Sequence, residues 1–352
     1  MKICILGDTH VGARNDSSIF HDHFDKFYTE TFFPYMREHG IQDVIQLGDL
    51  FDRRKYINFQ SLKRARKYLF DPLNAEFNTW VLTGNHDTYY KNTNEVNSVD
   101  LLLRGYDRII PVNQPTDVVF DAVKFLLVPW ICDDNETEVV SAIQSSNASV
   151  IAGHFEIRGF EMQRGMLNDE GLEQDVFKEN ELVISGHFHH KSQNRNIQYL
   201  GTPYELTWSD YDDPKGFHVY DTDTRELTFV PNPDRMFYKL FYNDQGQSVD
   251  YYKQDDMSML AGKIVKVIIK NKDNPVCFDK YIERLEKAGV ADLQVVEDHL
   301  NLDLEVDDDI VNEAEDTVTI LKKYIEQVDV SVDRKQLNKL MQDLYQEALS
   351  VE

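Results

Sequence analysis

The sequence predicts an α/β protein in which a second sheet packs on the first. Five short apolar runs each end in a glycine followed by a residue able to bind a metal. Helical patterns separate the early runs, and from 198 to 241 the pattern changes to strand and turn.

In chain order the runs are Ile3-Cys4-Ile5-Leu6-Gly7-Asp8, Val44-Ile45-Gln46-Leu47-Gly48-Asp49, Trp80-Val81-Leu82-Thr83-Gly84-Asn85, Val150-Ile151-Ala152-Gly153-His154 and Leu182-Val183-Ile184-Ser185-Gly186-His187. Runs of this length and character suit strands covered on both faces. The glycine allows a turn or a close approach of backbone that a side chain would block. Ligands at the ends of such strands converge on one rim, the usual binding edge of an open α/β sheet. Residues 23–39 and 61–69 carry apolar positions at three and four spacing, which reads as crossover helices. Asp213-Pro214-Lys215-Gly216 and Asp221-Thr222-Asp223 supply turn chemistry for the added sheet.

Composition narrows the class. With 41% apolar and 12% aromatic residues the chain can bury a large core. No stretch approaches the ~20 apolar residues of a membrane span, and the amino terminus is expected to carry no targeting segment. The widely spaced Cys4, Cys132 and Cys277 match neither a disulfide framework nor a zinc pattern, so a reducing, cytoplasmic setting is expected. A net charge of −25 argues against coating nucleic acid by bulk electrostatics. Fields are screened over ~8 Å at physiological salt, so the local charge of a cleft matters more. Much of the acid lies in 301–316, which holds eight acidic residues and no basic one.

The donors form a set. Asp8-Thr9-His10 puts a carboxylate and an imidazole two residues apart, on one face of an extended segment. Asp49 with Asp52, Asn85-His86-Asp87, His154, and His187-Phe188-His189 complete it without a thiolate. Such mixed ligation suits Mn²⁺, Fe or Zn²⁺ better than Ca²⁺ or a structural zinc. Two ions about 3.5–4 Å apart, sharing one carboxylate, would supply a nucleophile and a clamp for a phosphate ester. Phosphate ester hydrolysis is among the slowest uncatalysed reactions, and its barrier falls mainly through positioning and charge stabilisation.

Asp-x-His, Gly-Asp-x-x-Asp, Gly-Asn-His-Asp, Gly-His and Gly-His-x-His, in this order, resemble the five motifs of the calcineurin-like metallophosphoesterases. Within that superfamily the chain resembles the SbcD-type DNA repair nucleases, and most closely the recombination nuclease subunits of tailed bacteriophages. Gly48-Asp49-Leu50-Phe51-Asp52, Val128-Pro129-Trp130, Gly186-His187-Phe188-His189 and Tyr199-Leu200-Gly201-Thr202-Pro203 carry the narrower likeness. The resemblance implies a four-layer fold, two packed mixed sheets flanked by helices, with a small α+β capping domain and carboxy-terminal helices. It also implies roles. Asp8, His10, Asp49 and His189 would hold a first ion; Asp49 would bridge to a second, completed by Asn85, His154 and His187. His86 would face the scissile phosphate, its ring oriented by Asp87. Where archaeal and eukaryotic relatives carry His after Gly-Asp-Leu-Phe, this chain has Asp52, so that residue's role does not transfer.

Other features have blander readings. Phe20-His21-Asp22-His23 imitates a metal motif, but at a helix start i and i+2 diverge, so a surface position is expected. Lys63-Arg64-Ala65-Arg66-Lys67 fits a solvated helix face as well as it fits a DNA contact. Arg53 and Arg54 sit at the rim where phosphates would pass and are read as DNA backbone contacts, with Tyr89 and Lys91 nearby.

The last third lacks the motif grammar. An alternating strand at 263–270, a helix capped by Asn274 with Pro275 in its first turn and Gly289 at its end, and a strand at 293–296 make a β-α-β unit. The expected division is 1–232 nuclease domain, 233–300 capping and DNA-guiding domain, 301–316 acidic linker and 317–352 helical pair. Leu321, Tyr324, Ile325, Leu337, Leu340, Met341 and Leu344 form apolar stripes. Short helices are marginal alone, and these read as docking on a groove. In the resembling family the partner is the base of a coiled-coil ATPase of SbcC type, and two nuclease chains pair through helices near the rim. Residues 61–69 and 98–104 are the candidates here.

The leading expectation is a Mn²⁺-dependent DNA exonuclease and endonuclease working with that ATPase in recombination and double-strand-break repair. A phosphomonoesterase or cyclic-nucleotide phosphodiesterase with the same site, and an idle scaffold for the ATPase, remain as alternatives.

Overall fold

The computed structural model describes residues 1–163, 166–248, 250, 253, 256–297 and 337. The expected linker and the docking residues Leu321, Tyr324, Ile325, Leu340, Met341 and Leu344 lie outside the described residues; Leu337 alone of that set lies within them, helical and half-buried. Among the described residues, 1–206 and 210–297 belong to one compact unit.

The strands of the main unit are β1 (Lys2–Leu6), β2 (Asp43–Gln46), β3 (Asn78–Leu82), β4 (Ile109–Val112), β5 (Thr116–Phe120) and β6 (Val123–Val128), followed by β7 (Val150–His154), β8 (Glu161–Gln163), β9 (Met166–Leu167) and β10 (Leu182–Gly186). Then come β11 (Ser192–Asn194), β12 (Ile197–Tyr199), β13 (Gly216–Asp221), β14 (Leu227–Pro231), β15 (Phe237–Asn243), β16 (Ile264–Asn271) and β17 (Asp292–Glu297). Two six-stranded mixed sheets result, ordered β14-β13-β1-β2-β3-β4 and β11-β12-β10-β7-β6-β5. β8 and β9 form a separate hairpin.

All five motif runs are strands, but they do not share a sheet. β1, β2 and β3 lie in the first, and β7 and β10 in the second. The 198–241 region does not build a sheet of its own. β13 joins β1 as an antiparallel neighbour, and β12 extends the second sheet beside β10. The physical reason is that a short apolar run reports burial on both faces and says nothing about which sheet provides the neighbours.

Alternation shows how both faces are filled. Ile3, Ile5, Ile45, Leu47 and Leu82 of the first sheet pack with Phe125, Leu127, Val150, Ala152 and Ile184 of the second, forming the core between the sheets. The opposite face of the second sheet presents Leu126, Val128, Ile151 and Val183 to Val139 and Ile143 of the helix Glu136–Ser145. Over the first sheet lies an aromatic layer from residues 18–38 and 59–76, with Phe27 and Phe32 edge-on to Phe217 of β13 and Tyr28 stacked on Tyr68.

His21 and His23 are buried rather than at the surface. The helix Ser18–Lys26 packs on more than one side. His21 Nε2 lies 2.8 Å from Ser61 Oγ and its Nδ1 3.2 Å from Tyr68 Oη; His23 Nδ1 lies 3.1 Å from Asp234 Oδ2. Asp234 also receives Lys26 at 3.0 Å and Lys263 at 2.7 Å, so this carboxylate ties the helix to the start of the last sheet. That sheet, β15-β16-β17, is parallel throughout and packs Val265, Val267 and Ile269 against Phe278, Tyr281 and Leu285 of the helix Pro275–Lys287. Asn274 caps this helix through Cys277 N, as its position before Pro275 predicts. The three cysteines are free and buried. Among the described residues no helix is long and apolar enough to cross a membrane.

Candidate metal centre

Each donor stands just beyond or at the end of a strand. Asp8 and His10 follow β1, Asp49 follows β2, Asn85-His86-Asp87 follow β3, His154 ends β7, and His187 and His189 follow β10. The two sheets deliver them to one place as two clusters, Asp8–His10–His189 and Asp49–His154–His187, each with ligand atoms within 4.8 Å of one another. Both clusters draw from both sheets, so the site exists only when the sheets are packed.

Glycine makes the approach possible. Gly48 has φ +101°, and a Cβ there would lie 2.6 Å from His154 Nδ1; at Gly84 it would collide with the backbone nitrogen of Asp49. Three candidate ligands adopt left-handed backbone themselves: His10 (φ 41°), Asp49 (φ 50°) and His187 (φ 85°). A non-glycine residue there costs about 1–2 kcal/mol, and such strain concentrates at functional sites. Asp8 and His10 are therefore not held together by the two-residue repeat of an extended segment. They are turned together because the amides of Thr9 and His10 both donate to the Asp49 carbonyl, at 3.1 and 3.0 Å.

The donor set fits a pair of ions. His10 Nε2 and His189 Nε2 face each other at 3.1 Å, a separation expected of adjacent ligands each roughly 2.1 Å from one metal. Asp8 Oδ1 is buried and makes no hydrogen bond, while Oδ2 accepts the His187 amide at 2.9 Å. In the other cluster Asn85 Oδ1 lies 2.8 Å from His154 Nε2 and 3.0 Å from His187 Nδ1. Asp49 Oδ2 stands between the groups, 3.8 Å from His10 Nε2 and 3.4 Å from His154 Nε2. A carboxylate oxygen placed so can be shared by both ions.

Partners behind the ligands fix their tautomers. His154 Nδ1 donates to the Leu47 carbonyl at 2.8 Å, leaving Nε2 as the free donor atom. His10 Nδ1 lies 3.2 Å from Asp52 Oδ1, which turns Nε2 toward His189. Asp52, whose role the sequence leaves open, thus stands behind His10 and outside both clusters. Asp52→Asn is expected to weaken metal binding about 10–100-fold at the first cluster alone, as loss of such a partner does. Calorimetric titration of the metal-free protein checks this, and equal weakening at both clusters would remove the link to His10.

Protonation mirrors this layout. Burial pulls the His10 imidazole down, but Asp52, Asp49 and Asp8 outweigh it and raise the group to about 9. Burial is likewise overcome at His154, which Asp49 and Asp8 raise to about 9. Burial and neighbouring imidazoles lower His187 to about 3 and hold His189 well below its usual value. Asp8 is raised by burial to about 7, whereas at Asp49 burial is overridden by His154 and His86 and the carboxyl stays well below the usual range. In each cluster one imidazole is thus biased toward its charged form by the carboxylates, and a metal binding that ring would displace its proton.

His86 lies outside the clusters, its ring edge-on to His10 at 4.9 Å. Its Nδ1 donates to the Asp52 carbonyl at 2.6 Å and its amide to Asp49 Oδ1 at 2.8 Å. The ring is thus oriented by that carbonyl and not by Asp87. The Asp87 carboxylate accepts the amides of Gly84, Leu50 and Phe51 at 2.9–3.2 Å and the hydroxyl of Ser98. Being the last residue of Gly-Asn-His-Asp, it clamps the Asp49 loop to the Asn85 loop. Trp130, which in the sequence only contributes to a family likeness, has its ring 5.1 Å from His187 and 5.8 Å from His154 and walls the second cluster.

The four residues read as DNA contacts separate. Arg53 is engaged by Asp16 at 3.2 Å and by Asn15, with its guanidinium over the Tyr56 ring. Arg54 is half-buried, and its Nη1 is buried without a hydrogen-bond partner, in the field of Asp49 and Asp87. Tyr89 and Lys91 are exposed.

Comparison with known proteins agrees with this arrangement. The sequence model of the calcineurin-like phosphoesterase family matches residues 1–191, the stretch that holds all seven candidate ligands. The chain is 34% identical over 351 residues to Exonuclease subunit 1 of Enterobacteria phage T4, with 99% of each chain covered. It is 22% and 23% identical to the SbcD subunits of the SbcCD nucleases of Staphylococcus saprophyticus and Staphylococcus epidermidis, over 66% of this chain and 69% of each of theirs. With its motif residues gathered at one rim and a family match over more than half its length, the chain belongs to the calcineurin-like phosphoesterases.

Proposed function

We propose that this chain is a metal-dependent DNA nuclease, the subunit of a recombination and repair complex that hydrolyses phosphodiester bonds with two divalent ions, Mn²⁺ foremost. The observation that carries this reading is a pair of donor clusters meeting at Asp49 Oδ2, in a phosphoesterase whose full-length relative is named an exonuclease subunit. Asp8, His10, Asp49 and His189 would hold one ion and Asp49, Asn85, His154 and His187 the other. When bound, such a pair supplies a water-derived nucleophile at neutral pH and neutralises phosphate oxygens. His86, fixed through Nδ1, keeps Nε2 for a hydrogen bond or a proton at the phosphate ester. Arg54, half-buried in the field of Asp49 and Asp87, brings positive charge toward a backbone phosphate, with the exposed Tyr89 and Lys91 beyond it. Arg53 serves instead to hold the segment after His10 in place. With a net charge of −25, DNA is held by these local donors and not by the overall field.

Residues 1–232 form the nuclease domain, 233–300 guide DNA over it, and 301–316 link to helices in 317–352 that dock on a coiled-coil ATPase. Two nuclease chains pair through an exposed apolar groove beside the site, lined by Tyr56, Phe59, Leu62, Val96 and Leu101. Phe59 is 88% and Leu101 69% exposed, which is costly in water and suits a covered face. Light scattering with the ATPase present and absent checks both contacts. Leu101→Glu is expected to halve the mass of the free nuclease, and deletion of 317–352 to abolish co-elution with the ATPase. Unchanged behaviour of either variant removes the corresponding contact.

The deciding experiment is digestion of end-labelled duplex DNA across Mg²⁺, Mn²⁺, Fe²⁺ and Zn²⁺, beside a phosphomonoester and a model diester. Nuclease activity requiring metal, with Mn²⁺ best, is expected. Turnover of the monoester alone would overturn the reading in favour of a phosphatase.

A further inference from the structure

Behind His189 lies a cluster with the composition of a third metal site. His190, Asp210 and Asp213 bring ligand atoms within 4.8 Å of one another. Its centre is filled by the chain itself. Lys215 Nζ lies 2.6 Å from Asp210 Oδ1, 2.8 Å from Asp213 Oδ2 and 2.7 Å from the His189 carbonyl oxygen. The ammonium thus sits within 2.8 Å of three oxygens, two of them carboxylate and one the His189 carbonyl to which it donates. The Lys215 side chain is 4% exposed, so this cation is sealed in place. Asp213 Oδ2 also receives His190 Nδ1 at 2.8 Å, and Asp210 Oδ2 the amide of Leu206 at 2.9 Å.

The location matters more than the composition. Lys215 immediately precedes β13, which pairs with β1, the strand that delivers Asp8 and His10. His189 follows β10 in the other sheet. The bond from Nζ to the His189 carbonyl therefore crosses from one sheet to the other, at the one residue of the Asp8–His10–His189 cluster that the second sheet supplies. The Thr202 amide donates to the same carbonyl at 3.3 Å, and Gly201, at φ +72°, could carry no Cβ without meeting that oxygen at 2.7 Å. The backbone of His189 is gripped from two sides.

We propose that Lys215 is a positioning residue for His189: its ammonium takes the place of an ion in the His190–Asp210–Asp213 cluster and sets His189 across the sheets from Asp8 and His10. This rests on the reading of His189 as a metal ligand. A flexible surface lysine would contribute little, but a buried one held among three oxygens fixes geometry, and loss of such support loosens a metal site.

Calorimetric titration of Mn²⁺ into the metal-free full-length chain, with metal content by elemental analysis, tests it without DNA or turnover. The wild type is expected to bind two ions and His189→Ala to lose one of them. Lys215→Met should bind one ion with wild-type affinity within threefold and the other about 10–100-fold more weakly. Where Lys215→Met does not fold, Lys215→Arg decides. It keeps the charge against both aspartates but spreads its donors over a planar fork, and the same one-site loss is expected. If His189→Ala loses an ion while the foldable Lys215 variant keeps both affinities, the positioning role is wrong. Two ions in His189→Ala would instead overturn the ligand reading, and a third ion in the wild type would show the cluster to be a metal site.

Discussion

Asp49→Asn is expected to lower DNA hydrolysis about 10²–10⁴-fold and to reduce bound metal from two ions toward one. Removing one charged group that acts on developing charge in a water-poor site costs roughly 3–5 kcal/mol, which the Boltzmann factor converts to that loss. Asp49 is the residue where this applies, because its Oδ2 is the atom that faces both clusters. Asparagine spares the rest of its duties. An amide oxygen can still accept the His86 amide that Oδ1 accepts at 2.8 Å, and the main-chain carbonyl still holds Thr9 and His10. The fold should therefore survive, and the defect should be confined to metal and rate. A second signature lies in the metal-free protein. Asp49 is the leading partner raising His154 against its burial, so neutralising it should lower the His154 titration from about 9, as followed by NMR. Two ions bound at wild-type affinity in Asp49→Asn would show that this carboxylate does not bridge.

Much of the arrangement could be read from sequence because five of the seven candidate donors, Asp8, Asp49, Asn85, His154 and His187, are announced twice. An apolar run marks the strand, and the glycine after it marks the place where another loop must come close, as Gly48 does against His154 and Gly84 against Asp49. What escaped reading is set by tertiary neighbours. The division of the five strands between two sheets leaves no trace in their composition. His21 and His23 look like exposed helix-start residues until Ser61, Tyr68 and Asp234, all distant in sequence, arrive beside them. The same holds for Asp52 and Asp87. Both follow a ligand in a motif, yet Asp52 turns to His10 and Asp87 to three backbone amides, a choice made by left-handed turns at His10 and Asp49. Arg53 and Arg54 are equivalent in the sequence, and only the position of Asp16 and Asn15 shows that one is engaged and the other not.

His86→Gln is expected to lower the maximal rate about 10²–10⁴-fold, the usual range for losing a positioned acid–base group, while both ions remain bound. His86 stands beside the candidate ligand His10, their rings 4.9 Å apart, and is not one of the donors gathered into either cluster. Its Nδ1 proton is committed to the Asp52 carbonyl at 2.6 Å, so Nε2 alone is left for the phosphate. Burial, aided by His10, holds the imidazole below its ordinary value, which Asp49 only partly opposes. With an ionised phosphodiester bound, its negative charge would favour protonation, bringing the group toward the pH of the reaction. Glutamine can keep a hydrogen bond to phosphate but cannot carry a proton. Loss confined to kcat, with metal content and KM for DNA little changed, places the action of His86 in the transition state and not in ground-state binding. Should His86→Gln retain the wild-type rate on a diester with a good leaving group and lose it only on DNA, the proton's destination is that oxygen. Equal losses on both would place His86 in binding the transition-state charge.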